Sequence, residues 1–401
     1  YDTLTRHALG NYQDLMWAVT LSPAMGLYLS MLKNEKADPE TNLRPDENYA
    51  REVMQLFSIG LVELNPDGSV KRDAQGEPIP TYSQSDVEEL ARIFTGWNFN
   101  GATNWKWPQK NYLPMQPWYA YHDFDAKVIV GNTAIPAGLT PDDDMGWAIH
   151  TLFHHPNTAP FVAFRLIQRL VTSNPSPAYV QRVAAVFADN GAGVRGDLYA
   201  VAKAILLDPE ARFGHVDQPQ TFGKLKEPLL RQAALWRAFD ARSVDGAFRE
   251  WRPETEFGQA ALRSPSVFNF YQPDHKPAGA LGDLGLYGPE FQITTHAMIT
   301  RTTNRMYERT FRSYPGFANA NERTVTLNLA AELALASDPA ALVDRIALLL
   351  TADGLSSASR DLIIQHVNGV SMTAGNLESG MQRVLEAIYL IATSPEGAVQ
   401  R

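Results

Sequence analysis

The sequence predicts a mainly α protein, with a multi-helical, bundle-like body, a small β-hairpin insert and two long irregular loops. Three observations lead there. Apolar residues recur at helical spacing along most of the 401 residues, in segments closed by proline, glycine or asparagine. Pro66-Asp67-Gly68, flanked by alternating apolar residues, is the signal of a hairpin turn. Two stretches, 97–141 and 263–290, carry neither period and are rich in Pro, Asn and aromatic residues. Loops that long in a helical body more often serve function than spacing.

In chain order, residues 1–33 read as helix, restarted where Ser22 and Pro23 place a proline in a first turn. A polar connector, "NEKADPETNLRP", leads to the helix of "RPDENYAREVMQLFSIGL", with Asp46 as its N-cap and Gly60 as its closing residue. After the hairpin, Ser83 and Asp86 give a capping-box start to a helix whose apolar face is Val87, Leu90, Ala91 and Phe94. From Met145 to about Asp240 helices follow one another, separated by "HHPNTAP", "TSNPSPA", "DNGAGVRGD" and "DQPQTFGK". Three or four more helices run to Arg401. The reading is one large helical domain over 1–401, with lobes at approximately 1–140, 141–245 and 285–401. No fixed-period repeat is visible.

Composition narrows the function classes. Hydrophobic residues make up 45% and charged residues 20%, enough for a substantial core. The net charge is −9 and the basic residues are scattered, so the basic stripe that would bind nucleic acid is missing. No apolar run approaches the ~18 residues that suggest a membrane span. The absence of cysteine excludes disulfides, thiolate metal sites and a cysteine nucleophile. No signal peptide is visible at Tyr1. The phosphate-loop, dinucleotide and nucleophile-elbow patterns do not occur.

Several long motifs carry a family likeness: "DENYAREVMQLFSIGL", "YSQSDVEELARIFTGW", "HDFDAKVIVG", "FHHPNTAPFVAFRLIQRLVTSNPSPAYVQRVAAVF", "SPSVFNFYQPD", "GPEFQIT" and the closing "LIATSPEGAVQR". The chain resembles the bacterial family catalogued as domain of unknown function 1800, over the C-terminal two-thirds or more of its members. The resemblance implies a helical fold, export from the cell, and a gene neighbour that looks like a sulfatase-fold hydrolase. It also implies a further helical N-terminal region. Together with the uncapped, apolar opening "YDTLTRHALGNYQDLMWAV", this leads to the expectation of a missing N-terminal fragment that packs on the first helix.

Four constellations carry chemistry. On the 44–61 helix, Glu47 and Arg51 fall on the side opposite Tyr49, Val53, Leu56 and Phe57 and read as a solvated pair. Glu52 sits at the edge of the apolar face. A carboxylate there is either paired, with Arg92 or His122 as partners, or raised in pKa for acid–base work. In "YHDFDAK", His122 and Asp123 suit a general base or a metal ligand, and the two acids and lysine equally suit a salt-bridge cluster. His150 and His154 have the i, i+4 spacing of metal ligands, but no glutamate completes the motif and the segment reads as a helix end. The expectation is no metal and no cofactor. Trp97, Trp105, Trp107, Trp118 and Tyr121 in the first long loop, with Asn269 and Tyr271 in the second, offer flat apolar faces with polar rims, such as sugars and peptides bind. The alternative is a loop that pins itself down with aromatic rings.

Two functions follow as expectations. One is an exported hydrolase-like or binding protein acting on an extracellular polymer such as a glycan. Its acid–base groups would be Glu52 with Asp86 or Asp123, and His122 would be an alternative base. The other is a non-enzymatic partner or assembly protein of an exported sulfatase-fold hydrolase, whose aromatic loop is an interface. What separates them is whether Glu52, Asp86, His122 and Asp123 line one concave pocket.

Overall fold

The computed structural model describes residues 1–312, 325–373 and 376–401. The described residues are mainly helical, and their strands form two-stranded antiparallel sheets. The chain divides into two compact units, Tyr1–Leu170 with Pro175–Phe213, and Val171–Asn174 with Gly214–Arg401. The lobe borders expected near 140 and 245 lie inside these units.

The first unit is built on α1 (Tyr12–Thr20), α2 (Asn48–Gln55), α3 (Gln84–Ile93), α4 (Pro141–His154), α5 (Thr158–Leu170), α6 (Pro177–Ala188) and α7 (Leu198–Leu207). Local chemistry sets their starts. Asn11, Ser83, Thr140, Ser176 and Asp197 each accept a hydrogen bond from an N–H in the first turn that follows. Ser83 and Asp86 close the full capping box. Prolines open α4 and α6, where the missing N–H has no partner to lose. Tyr49, Val53 and Met54 of α2 are buried, as are Val87, Leu90 and Ala91 of α3 and Met145, Ile149 and Leu152 of α4. Tyr49 meets Phe94 edge to face at 4.9 Å.

Helix α2 ends at Gln55, sooner than the apolar run suggested. Gly60, at φ +69°, closes the turn beyond it through an N–H bond to the Met54 carbonyl at 3.0 Å. A Cβ at Gly60 would lie 2.9 Å from the Phe161 ring, so glycine is required there on two counts. The cap also shifts: Glu47 is the N-cap residue, while Asp46 accepts from Asn48 N at 2.8 Å. The expected hairpin forms as a narrow ladder of isolated rungs, Val62 with Pro80, Leu64 with Val70 and Arg72 with Pro78.

The 97–141 stretch is more ordered than its composition suggests. Strand β1 (Trp97–Asn98) pairs with β2 (Gln116–Pro117), and β3 (Lys127–Ile129) with β4 (Thr133–Ile135). Strands of two or three residues are too short to leave a period in the sequence.

In the second unit α8 (Pro228–Ala238), α9 (His296–Phe311), α10 (Pro339–Thr351), α11 (Ser357–Gly369) and α12 (Met381–Thr393) carry the core. Leu235, Phe311, Leu342, Ile346, Leu385 and Ile388 lie at its centre. Strand β5 (Lys224–Leu225) pairs with β8 (Val399–Gln400), which ties the chain's end to the start of α8. Strand β6 (Arg242–Ser243) pairs with β7 (Val325–Thr326).

Candidate functional site

Burial beside a loop rich in charge marks the first unit's site. His122 is fully buried, and each ring nitrogen faces an oxygen. Nδ1 is 3.0 Å from the Thr95 carbonyl and 3.3 Å from its hydroxyl, and Nε2 is 3.2 Å from Asp144 Oδ2. Asp144, in the first turn of α4, is also fully buried and pairs with Lys127 Nζ at 2.7 Å. Lys127, only 2% exposed, further donates to the carbonyls of Asp123 (2.6 Å) and Asp125 (2.9 Å).

Asp123 continues the chain of charges. It takes a two-pronged bond from Arg92, Nε to Oδ2 at 2.9 Å and Nη2 to Oδ1 at 3.0 Å, and Arg92 also holds Glu89 at 2.8 Å. Burial pushes the Asp123 carboxyl up, but the hydrogen bonds from Arg92 and the Asp125 N–H, with the Arg92 and Lys127 charges, hold it below the usual range. Two cations, Arg92 and Lys127, thus meet three carboxylates, Glu89, Asp123 and Asp144, with the His122 ring set against Asp144. One acceptor stays open: Asp144 Oδ1 is buried without a hydrogen-bond partner. The network joins α3, the 118–127 loop, β3 and the start of α4. Of the readings of "YHDFDAK", the salt-bridge cluster is the one present. His122 has no surface from which to reach a substrate.

The other candidate acids lie apart from it in role. Asp86 is spent on the α3 cap, accepting from Ser83 N at 2.7 Å and Ser83 Oγ at 2.6 Å. Glu47 and Arg51 form the expected exposed pair at 2.9 Å, shared with Gln84. Glu52 is 7% exposed and pairs with neither Arg92 nor His122, whose bonding groups go to Asp123, Glu89 and Asp144. Its Oε2 is buried with no partner. Burial raises its pKa, and the neighbouring Arg51 charge only partly opposes this. Asp86 and Asp123 are thus each held by partners of their own, and Glu52 keeps a raised pKa.

The aromatic loop packs largely on itself, which corrects the expectation of a ligand-facing surface for Trp97 and Trp105. Trp97 is fully buried on β1. Trp105 stacks on Tyr121 with ring centres 4.0 Å apart, meets Trp118 edge-on at 6.0 Å, and donates from its indole to Glu35 Oε1 at 2.6 Å. A segment with little regular backbone must bury side chains to hold its shape, and rings bury the most area each. Trp107, Trp118 and Tyr121 remain half-buried. In the second unit Asn269 is exposed in a turn at φ +67°, whereas Tyr271 is buried with its hydroxyl on Glu227 Oε1 at 2.8 Å.

Residue reading missed Thr95 and Asp144. Asp142, Asp143 and Asp144 look alike in sequence, three acids favoured by the same helix dipole, and only packing singles out the third. His150 and His154 lie with ring centres 4.0 Å apart and planes tilted by 35°, and His154 Nδ1 is 3.0 Å from the His150 carbonyl. Among the described residues no group of three or more His, Asp or Glu side chains is arranged to hold a metal ion.

Fold and site together define a mainly helical protein whose first unit is cross-braced by a buried ionic network. The chain belongs to the family described as "Protein of unknown function (DUF1800)", whose profile matches residues 1–399. Comparison with curated proteins and with solved structures returned no match. No described helix is long and apolar enough to cross a membrane.

Proposed function

We propose that the protein works by binding, as a partner or assembly protein of an exported sulfatase-fold hydrolase, rather than as a two-carboxylate hydrolase. The observation that carries this reading is α7. Its sequence, "LYAVAKAILL", is apolar on every side save Lys203, a composition that belongs in a core. Yet Tyr199, Leu206 and Leu207 are 60%, 55% and 55% exposed. Tyr199 and Leu206 lie seven residues apart, on one line along the helix. Exposed apolar residues gathered on one face mark a contact surface, and tyrosine is prominent among the residues that anchor interfaces. Export, and the hydrolase as partner, are what the resemblance to the family implies, the latter through the sulfatase-fold neighbours of its members.

A specific observation favours the polymer as a second ligand class. Tyr112 is 91% and Tyr119 is 52% exposed on the aromatic loop, beside the half-buried Trp107 and Trp118. Such rings suit a glycan.

The test is co-elution of the purified chain with the hydrolase encoded beside it, and titration calorimetry of the pair. The expected result is a complex that the Tyr199→Ser, Leu206→Ser double variant weakens by about tenfold or more, with its melting temperature unchanged. No complex, or one indifferent to these substitutions, overturns the reading. The same titration with soluble polysaccharides in place of the hydrolase separates the two ligand classes.

A further inference from the structure

The second unit holds a cavity of about 360 Å³ between the starts of α8 and α9 and the end of α12. Two cations line it, Lys226 and Arg231, and no carboxylate does. Lys226 Nζ donates to the carbonyls of Leu350 (3.1 Å) and Gly397 (3.3 Å), and Arg231 Nη2 to that of Ala392 (2.8 Å). Among the described residues neither forms an ion pair. The adjacent Glu227 bonds Tyr271 and Gln259 and is not part of the lining. Burial lowers the pKa of both cations, and the Arg231 charge lowers that of Lys226 further. Arg231 Nε and the hydroxyl of Thr302, a residue only 3% exposed, are buried without hydrogen-bond partners.

Two neighbouring half-buried cations whose hydrogen bonds go to carbonyls alone are an unfavourable arrangement. A bound anion removes the imbalance. Thr303, Thr393 and Ser394 add hydroxyls to the lining, and Leu225, Pro228, Met298, Ile299, Pro395 and Ala398 supply its apolar part. A mostly apolar cavity with a few polar groups of one charge is how small-molecule sites are commonly built.

We propose that this cavity binds a small amphiphilic oxyanion, a carboxylate or phosphate monoester on a short hydrocarbon body. The head lies on Lys226 and Arg231, and the body lies against Met298, Ile299 and Pro395. This site stands independently of the α7 surface, and neither requires the other.

The test is calorimetry of the whole chain with hexanoate and with hexyl phosphate, set against neutral hexanol and inorganic phosphate. The expected result is saturable binding of at least one amphiphilic anion, with both controls weaker by about tenfold or more. Which anion wins identifies the head group. Lys226→Met should weaken that binding by about tenfold. Ile299→Trp, which crowds the cavity from a lining position that is 52% exposed while leaving both cations in place, should weaken it by about tenfold in a protein that keeps its helical circular dichroism. The proposal is overturned if neither anion binds at roughly 10 mM, if hexanol binds as well as the anions, or if folded Ile299→Trp binds them unchanged.

Discussion

At Glu52, a carboxyl one turn into a helix has lost water on one oxygen and gained no partner in exchange. Burial favours the protonated form, so the folded-state pKa lies above the ordinary glutamate value. The sign follows by linkage. Below the ordinary range both folded and unfolded chains are protonated there and the group is neutral for stability. As pH rises the unfolded chain ionises first, and stability falls until the folded pKa is passed. Glu52→Gln removes that loss. The variant should match wild type near pH 4 and exceed it by roughly 0.5–2 kcal/mol at pH 8, in urea melts at both values. A variant less stable than wild type at pH 8 would show that the carboxylate has a stabilising partner. Sequence periodicity placed Glu52 at a core edge but named Arg92 as a partner. Helix geometry says which side a residue faces and is silent on which distant charge arrives there.

At the scale of elements, the ionic network holds α3, β3 and α4 together through side chains rather than through strand pairing. Lys127 carries much of this, with one ammonium meeting Asp144 and two loop carbonyls. Lys127→Met removes the ammonium from the buried Asp144, leaving it the His122 ring on Oδ2 and no partner on Oδ1, and should cost about 3–5 kcal/mol. Adding Asp144→Asn should return part of that loss, because the stranded charge goes with it. Urea denaturation of both single variants and the double variant closes the cycle. If Lys127→Met loses less than ~1 kcal/mol, the pair behaves as a surface bridge does and the bracing account fails. The start of α3 was legible, because a capping box is local chemistry. The network was legible only in part. "YHDFDAK" held three of its members in seven residues, while Thr95 and Asp144 come from other elements.

For the whole molecule, both units contain carboxylates held below their usual range. In the first unit Asp123 is one of several. In the second, examples are Glu250, where burial is outweighed by hydrogen bonds from Gln232 and Arg309, and Glu396, brought to about 2 by Ser356 and Ser359 against the opposing effect of burial. Their contribution has the sign opposite to that of Glu52. It is present above the ordinary carboxylate range and is lost as pH falls through the folded-state values. Stability should therefore drop most steeply between about pH 4 and pH 2. Asp123→Asn and Glu396→Gln should each flatten that limb in thermal melts across the range. A limb of unchanged slope in both variants would assign acid unfolding to other groups.

Alone, the sequence determined the helical class, the capping box of α3, the turn at Gly68 and the absence of thiol chemistry, because each depends on residues within a few positions of one another. It left two questions open: whether the aromatic loop faces outward, and whether the acids converge. Tertiary structure buries Trp97 and Trp105 and gives Asp86 and Asp123 separate partners. Trp105 turns inward because Tyr121, sixteen residues on, offers it a ring to stack on. Asp86 stays with its cap while Asp123 meets Arg92, thirty-one residues back. These outcomes depend on which segments pack side by side, and the energy of burying a ring or a charge is set by neighbours that no local window contains.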